Sequence, residues 1–274
     1  MKGSNTTDLA ISFIDWNPYA PDSSMGLWQE VELTELQGGQ SAYVTIANPL
    51  VNSTVNRQSN SAILRVMCEV SNYDDTSGMV VEETLCASII DPNTNEEIAQ
   101  QCQNISIPSG TYNAKVFFAP PMAVENVRLW WPYHMGTPYL YVLRFFFATT
   151  PDNILLESKF GIRQVESKLI TAYQYTLFQV NGVDMIVLGG GYAPDLLLQF
   201  EQNARDNDTF IRRQLQYVQW MGLNTIRMEG NFQNEHFYQL CDELGILVMP
   251  GLPCCDSWQH WSDWTSQTYS VAQE

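Results

Sequence analysis

Short runs rich in Val, Ile, Tyr and Phe, separated by polar turns, cover the first 165 residues of the chain. Several runs alternate apolar and polar positions with a period of two, and helical periodicity is missing from this half. In the run 62–70, one face collects Leu64, Val66, Cys68 and Val70. The pattern predicts seven strands, at 27–33, 42–46, 62–70, 79–87, 114–118, 139–148 and 154–160.

This arrangement of strands indicates a β-sandwich. About seven short strands over roughly 100 to 130 residues are the signature of an immunoglobulin-like β-sandwich. Some other antiparallel sandwich would produce a similar pattern, and the strands alone leave that alternative open.

After residue 165 the periodicity changes from strand-like to alternating strand and helix. Asn181-Gly182 predicts a tight hairpin turn, and a buried strand at 185–188 is expected to end in three glycines. Capping and apolar spacing then predict two helices, each followed by a strand. One helix begins near Asp206 and stops at Gly222, with a strand at 223–228; the other carries Phe237, Leu240, Cys241 and Leu244 and closes at Gly245, with a strand at 246–249.

This second pattern is typical of a parallel α/β sheet, either a barrel or a doubly wound fold. A (β/α)₈ barrel takes roughly 250 residues, and only about three of its eight strands fit after residue 165. An open sheet of three strands would expose an unpaired edge. We therefore expect multidomain β plus α/β architecture, with a β-sandwich followed by the opening of a parallel α/β sheet in a truncated chain, and the pattern leaves both the barrel and the doubly wound fold open.

Charge and composition exclude some functions. The 274 residues carry a formal net charge of −17, which would repel nucleic acid and anionic membrane surfaces but attract a cationic substrate. The alternative interpretation, that the acidic residues only keep the protein soluble, stays open. No apolar run approaches the roughly 20 residues of a membrane span, and the first residues lack the apolar core of a signal peptide.

The cysteines and histidines show no zinc-ligand spacing, so we expect no metal and no cofactor. Cys86 and Cys102 flank a turn-like segment almost symmetrically and either form a disulfide across a hairpin or remain free thiols. N-glycosylation sequons occur at Asn5, Asn52, Asn104 and Asn207. They give weak support for an extracellular or secretory location.

Several motifs in order along the chain resemble glycoside hydrolase family 2, and within it the exo-β-D-glucosaminidase branch. The resemblance covers nearly the whole chain. The segment from Asp15-Trp16-Asn17-Pro18 to Trp28 resembles the end of the family's jelly-roll domain. Further resemblances are Leu129-Trp130-Trp131-Pro132-Tyr133, Phe160-Gly161-Ile162-Arg163, Val180-Asn181-Gly182, Gly189-Gly190-Gly191-Tyr192-Ala193-Pro194-Asp195, Arg227-Met228-Glu229-Gly230 and Cys254-Cys255-Asp256-Ser257-Trp258.

The resemblance implies a domain order and an activity. Residues 1–33 would end the jelly-roll domain, 34–165 would form the immunoglobulin-like sandwich, and 166–274 would begin the TIM-barrel catalytic domain. Enzymes of this branch release glucosamine from chitosan oligomers, so an amino-sugar oligosaccharide is the expected partner. The family hydrolyses with retention through two carboxyl groups that follow barrel strands four and seven. We expect neither catalytic residue before position 274, and therefore no turnover by this polypeptide alone.

The expected substrate-binding residues follow the ends of the three barrel strands, where TIM-barrel sites lie. Glu229, whose position resembles the one that contacts the substrate amine, and Asp195 would pair a sugar ammonium through charge-assisted hydrogen bonds. A structural ion pair of Glu229 with Arg227 or another basic group is the alternative. Arg227, read as ending its strand in a buried environment, would orient a carboxylate. Asp256 and Trp258 would line the same site, with the Trp258 ring against a sugar or, equally, packed on a helix.

Two other functions remain open at this point. A β-mannosidase shares the family's domain order. A non-catalytic carbohydrate-binding module built from the sandwich would use acidic charge and tryptophans for binding alone.

Overall fold

The computed structural model describes residues 43–74, 78–192, 207–228 and 233–250. These residues form two compact units. The β unit contains the described residues up to Trp131 together with 135–186, and the α/β unit contains Pro132–His134 with the described residues from Val187 onward. The expected domain 1–33 and the strand at 27–33 lie outside the described residues, and the domain boundaries stay predictions.

The described chain is mostly β-sheet with two helices. The β unit holds the strands β1 (Val44–Asn56), β2 (Ser61–Asn72), β3 (Val81–Asp91), β4 (Glu96–Ile107), β5 (Thr111–Phe117), β6 (Met122–Glu125), β7 (Tyr141–Phe147), β8 (Ile154–Phe160), β9 (Val165–Ile170), β10 (Tyr175–Val180) and β11 (Val183–Met185). The α/β unit holds β12 (Gly189–Tyr192), α1 (Asn207–Trp220), β13 (Thr225–Met228), α2 (Glu235–Leu244) and β14 (Leu247–Met249).

Two antiparallel sheets of the β unit enclose one hydrophobic core. The first has the order β1-β2-β5, with β6 pairing a different part of β2, and the second has the order β4-β3-β7-β8. The alternation predicted for β2 is confirmed, because Leu64, Val66, Cys68 and Val70 are all buried in this core. Leu85, Ala87 and Ile89 of β3 and Leu143, Phe145 and Phe147 of β7 enter it from the second sheet.

The sequence located most of these strands but misjudged three. Strand β1 extends to Asn56, well beyond the expected 42–46, and β4 and β6 have no counterpart in the prediction. Strand β4 pairs only with β3, at the edge of its sheet, and most of its side chains are polar. An edge strand needs few apolar residues because one face and one side meet water, so the apolar pattern gave no signal there.

A disulfide joins Cys86 of β3 to Cys102 of β4, which settles the alternative that the sequence left open. The two residues are directly opposite each other in the antiparallel register. Direct opposition on neighbouring antiparallel strands brings the two side chains close enough for a bridge. Cys68 and Cys241 are free and buried, and burial raises the pKa of each thiol to about 12.

Trp130 is the largest of the fully buried side chains among the described residues. Its backbone N–H donates to Ile162 O at 2.9 Å, and the Arg163 guanidinium lies 4.3 Å from the ring centroid. A β carbon built on Gly161 would come within 2.6 Å of the Trp130 side chain. Glycine is therefore required at position 161 for the linker after β8 to cross this ring.

Asn181 fixes the following hairpin against the same site. It lies in the Asn-Gly turn between β10 and β11, as expected, and adopts φ 51°. Its buried side chain donates from Nδ2 to Trp130 O at 2.9 Å and accepts at Oδ1 from Gln164 N–H at 2.8 Å. The turn residue thus satisfies two backbone groups of distant segments while it closes the third sheet, β11-β10-β9.

The α/β unit is a parallel sheet of order β12-β13-β14 with its two connecting helices. Ile211, Leu215 and Val218 of α1 and Phe237, Leu240 and Cys241 of α2 pack with Ile226 and Met228. The expected carboxyl ends of both helices are confirmed, because Gly222 and Gly245 adopt positive φ. Asn234, which was not predicted as a cap, begins α2 by accepting from Phe237 N–H at 3.0 Å. Among the described residues, neither helix is long and apolar enough to cross a membrane.

We predict that Asn181→Ala lowers the free energy of unfolding of the β unit by about 3 kcal/mol. The change removes the Asn181 side-chain partner of the buried Trp130 carbonyl and of the half-buried Gln164 N–H, and alanine tolerates a positive φ poorly. Denaturant unfolding followed by tryptophan fluorescence measures the effect. Gln179→Ala, which removes an exposed hydrogen bond to Asp184 on the same hairpin, is the control and should change stability by less than about 0.5 kcal/mol. A loss equally small for Asn181→Ala would contradict the role assigned to it.

We also predict that the disulfide stabilises the β unit. Replacing Cys86 and Cys102 together by alanine should lower stability by about 3 kcal/mol, since the bridge closes a loop of moderate length in the unfolded chain. Reductant should shift the denaturation midpoint of the unmodified chain in the same direction and leave that of the double variant unchanged. If complete reduction of the disulfide left the denaturation midpoint of the unmodified chain unchanged, the bridge would not stabilise the fold.

Candidate functional site

The three parallel strands of the α/β unit end at one edge of their sheet. Gly191, Arg227 and Met249 are aligned in register across β12, β13 and β14. Each of the expected site segments follows one of these ends: Asp195 comes three residues after β12, Glu229 directly after β13, and Asp256 and Trp258 after β14. These four residues lie outside the described ones, so their assignment to a substrate site stays a prediction.

Arg227 is the one expected site residue that the structure describes. The side chains of Ile226 and Met228 are buried in the core with the helices, whereas Arg227 is exposed. The expectation of a buried environment for Arg227 is therefore wrong, because strand alternation turns it to the sheet face opposite the helices.

The glycine run 189–191 forms strand β12 itself. It was expected to end a strand at 185–188, yet Ile186, Val187 and Leu188 are exposed and lie before the strand. A β carbon on Gly189 would come within 2.3 Å of the Thr225 carbonyl oxygen, whereas one on Gly190 would meet nothing within 4 Å. The first glycine is thus needed for close approach to β13, and the second leaves an open surface next to the site edge.

Asn224 ties the amino ends of all three strands together. Its Oδ1 accepts from Leu188 N–H at 2.9 Å and from the Thr225 hydroxyl at 2.8 Å. Its backbone N–H donates to Leu188 O, and its carbonyl accepts from Leu247 N–H at 2.9 Å. The side chain is buried. The sequence analysis missed this residue, although an asparagine directly before a buried strand is a polar group in an apolar setting that must find partners.

Tyr192 anchors the carboxyl end of β12, just before the segment that carries Asp195. Its hydroxyl donates to Gln214 Oε1 of α1 at 2.5 Å, and its ring packs against Phe237 at a centroid distance of 5.2 Å. Burial raises the pKa of Tyr192 to about 12, so the phenol is neutral at any physiological pH. Tyr192 therefore supports the site edge as a packed, neutral side chain.

Tyr133 is packed at the opposite end of this sheet. Its hydroxyl lies 3.0 Å from the carbonyl oxygens of both Gln219 and Leu223, and its backbone N–H donates to Gly245 O at 3.1 Å. Leu223 and Gly245 precede β13 and β14, so this contact belongs to the amino edge of the sheet. His134, whose ring lies 3.9 Å from that of Tyr133, is therefore placed away from the strand ends that would carry a substrate.

Within the described ranges, no group of three or more His, Cys, Asp or Glu side chains is arranged to hold a metal ion. What the described residues supply is a scaffold: an ordered amino edge, a tightly packed sheet, and a carboxyl edge with Arg227 on the face away from the helices. Chemistry at that edge depends on the segments that follow each strand.

Comparison with known proteins matches this arrangement to one family. The sequence model of Glycosyl hydrolases family 2 matches residues 44–163. An exo-beta-D-glucosaminidase of Arthroderma benhamiae is 31% identical over 278 aligned residues, which cover 97% of this chain and 29% of that protein. A beta-mannosidase of Capra hircus is 26% identical over 85% of this chain and 25% of its own length.

The fold is also similar to a solved structure. The crystal structure of Amycolatopsis orientalis exo-chitosanase CsxA superposes with a TM-score of 0.66 and 29% identity, and covers 84% of this chain and 26% of its own. The chain spans 24% to 29% of the length of the five exo-beta-D-glucosaminidases that it matches.

We predict that Asn224→Ala loosens the parallel sheet at its amino edge. The half-buried bond from the Leu188 N–H and the buried bond from the Thr225 hydroxyl lose their shared acceptor, which should cost about 2 kcal/mol. Hydrogen exchange should show faster exchange at the Leu188 and Thr225 amides, with the amides of the β unit unaffected. Gln239→Ala, which removes an exposed hydrogen bond to Glu235 on α2, is the control. Unchanged protection of the Leu188 amide in Asn224→Ala would show that the side-chain hydrogen bonds of Asn224 are not needed to hold the amino edge of the sheet.

Proposed function

We propose that this chain, whose residues 44–163 carry the domain of glycosyl hydrolases family 2 and which is a relative of the exo-β-D-glucosaminidases, is part of a retaining exo-β-D-glucosaminidase. The protein would release glucosamine from the ends of chitosan oligosaccharides. The observation that carries the proposal is 31% identity to such an enzyme over 97% of this chain, which spans both units.

The proposal assigns each unit a place in a larger architecture. The β unit would be the immunoglobulin-like domain, which the two sheet orders β1-β2-β5 and β4-β3-β7-β8 support. The α/β unit would be the first three strands and two helices of a (β/α)₈ barrel, supported by its parallel order β12-β13-β14. Barrel enzymes place their sites at the carboxyl ends of the strands, which here is the edge beyond Tyr192, Met228 and Met249.

Recognition of an amino sugar would depend on charge at that edge. Glucosamine carries an ammonium group that mannose lacks, and a carboxylate that accepts a hydrogen bond from it makes a charge-assisted pair. Glu229 follows the exposed Arg227 by two residues, and Asp195 follows β12 closely. We assign Glu229 to the substrate amine, Asp195 to the same charged group, and Asp256, Trp258 and Arg227 to the walls of the site.

Bond cleavage would need two further carboxyl groups. Retaining glycosidases hold an acid/base and a nucleophile about 5 to 5.5 Å apart on either side of the glycosidic bond. One protonates the departing oxygen while the other attacks the anomeric carbon, and water then releases the sugar. The resemblance places both after barrel strands four and seven, so none of the 274 residues is given either role. This chain would bind and orient substrate.

A β-mannosidase of the same family is the second candidate, favoured by the 26% identity to the enzyme of Capra hircus. Its substrate is uncharged, so it would gain nothing from carboxylates aimed at an ammonium group. The formal net charge of −17 favours the amino sugar, because a cationic oligomer accumulates near an acidic protein. A non-catalytic binding module would show the same charge dependence without turnover.

The proposed enzyme would act outside the cell. Structural disulfides form and persist in oxidising compartments, and the bridge between Cys86 and Cys102 supports such a location. Of the sequon asparagines, Asn52 and Asn104 have exposed side chains on strands of the sandwich. An extracellular enzyme would also meet chitosan, a polymer too large to enter a cell intact.

We predict that the protein encoded by the complete gene releases glucosamine from chitosan oligomers and loses this preference in Glu229→Gln. Removing the partner of an ammonium group costs about 1.5 to 3 kcal/mol, which is roughly a 10- to 100-fold fall in kcat/KM for aryl β-glucosaminide. Turnover of aryl β-mannoside should change little. Paired kinetics on the two substrates measure the selectivity directly.

Glu243→Gln provides the matched control. It removes a charge of the same sign at the far end of α2, where Glu243 accepts from Arg212 at 3.0 Å, and should leave the selectivity unchanged. The 274-residue chain alone should release no glucosamine above a blank. Preference for mannoside by the complete protein would replace our proposal with the second candidate, and salt-sensitive binding without any turnover would favour the module.

A further inference from the structure

The outer face of the sheet β1-β2-β5 carries a row of apolar side chains. Leu50, Met67 and Phe117 are directly opposite one another across the three strands. Leu50 is 53% exposed, Phe117 64% exposed, and Met67 half-buried. Ile63, four residues before Met67 on the same face, is 41% exposed. A β-sandwich normally presents polar side chains on this face, and contiguous apolar surface marks a place that something covers.

A sequon lies within this row. Asn52-Ser53-Thr54 is part of β1, and Asn52 follows Leu50 by two residues, so both side chains project from the same face. Asn52 is aligned with Arg65, the next outward residue along β2 from Met67. Its side chain is exposed. Asn104 differs, since its Oδ1 already accepts from the Thr84 hydroxyl at 2.8 Å on the other sheet.

We propose that Asn52 is an N-glycosylation site whose glycan covers the row formed by Leu50, Met67 and Phe117. The proposal rests on the extracellular location inferred above. The Asn52 amide nitrogen would bond to the anomeric carbon of the first N-acetylglucosamine of a lipid-linked oligosaccharide. The lipid pyrophosphate leaves with the electrons of the broken C–O bond, and the nitrogen gives up one proton. An oligosaccharyltransferase catalyses the transfer, and no oxidant or reductant takes part.

The dimensions of the sheet suit this arrangement. Leu50 lies about 7 Å from Asn52 along the strand, and Phe117 stands two strands away, about 10 Å across the sheet. Two N-acetylglucosamine rings linked to Asn52 span a length comparable to the distance from Asn52 to Phe117. The C–H faces of these rings and their acetyl methyl groups are apolar, so they would bury the Phe117 ring and the Leu50 side chain while their hydroxyls stay in water.

The test is expression of the full chain behind a secretory leader in a eukaryotic host, with recovery from both cells and medium. Release of glycans by a peptide N-glycosidase in heavy-oxygen water should leave a labelled aspartate at position 52. Asn52→Gln and Thr54→Ala should both lose that glycan, and Thr54→Ser, which keeps the sequon hydroxyl, should retain it. An unlabelled Asn52 in secreted, folded protein would overturn the proposal.

The shielding role has its own readout. Both glycan-deficient variants should bind an apolar fluorescent dye several-fold more strongly and self-associate in light scattering. Phe117→Ser in the Asn52→Gln background should reverse this gain. Asn104→Gln removes a sequon from the other sheet and should leave dye binding unchanged. Equal dye binding with and without the Asn52 glycan, in chains with unchanged thermal unfolding, would refute the covering of the row. Neither glycan occupancy nor dye binding depends on hydrolase activity. A failure of the glycosylation proposal can therefore be distinguished from a failure of the proposed function.

Discussion

Trp130 and the backbone packed around it hold the end of the sandwich, the linker and the following hairpin in one arrangement. The indole is fully buried between the Gly161 backbone, where no side chain fits, and the Arg163 guanidinium. The Asn181 amide closes the site by bonding the carbonyl of Trp130 and the N–H of Gln164. Burying a polar side chain without hydrogen bonds would cost free energy. The two hydrogen bonds of Asn181 offset that cost and fix the positions of the segments that they join.

The α/β unit follows a related logic at its amino edge. Asn224 spans Leu188, Thr225 and Leu247, and the Tyr133 hydroxyl approaches the carbonyls of Gln219 and Leu223. Polar groups at this edge are thus engaged in holding strands together. The carboxyl edge is supported mainly by packing of Tyr192 and Met228, together with the hydrogen bond from the Tyr192 hydroxyl to Gln214 of α1. That division leaves the segments after each strand free to vary in sequence, which suits a fold that hosts many specificities.

Much of this fold was predictable from periodicity, and the exceptions have physical causes. Alternation located β2, and glycines with positive φ marked the ends of both helices, because these signals are local. Strand β12 was not predicted, because its glycines pair through backbone hydrogen bonds and have no apolar side chains that would indicate a strand. The bridge between Cys86 and Cys102 depended on the register of β4, a strand whose polar sequence gave no signal.

The candidate site was predictable only in outline. Its position at the carboxyl ends of parallel strands followed from strand order, but the environment of Arg227 was misjudged because alternation was not applied to so short a strand. Scaffold residues such as Asn224 and Tyr192 pack against neighbouring strands and helices and carry no charge for recognition. In the proposed enzyme, discrimination between an amino sugar and mannose would therefore come from the few groups placed beyond the scaffold. A single carboxylate would suffice there, since one charge-assisted hydrogen bond would separate the two substrates by more free energy than a change in shape of similar size.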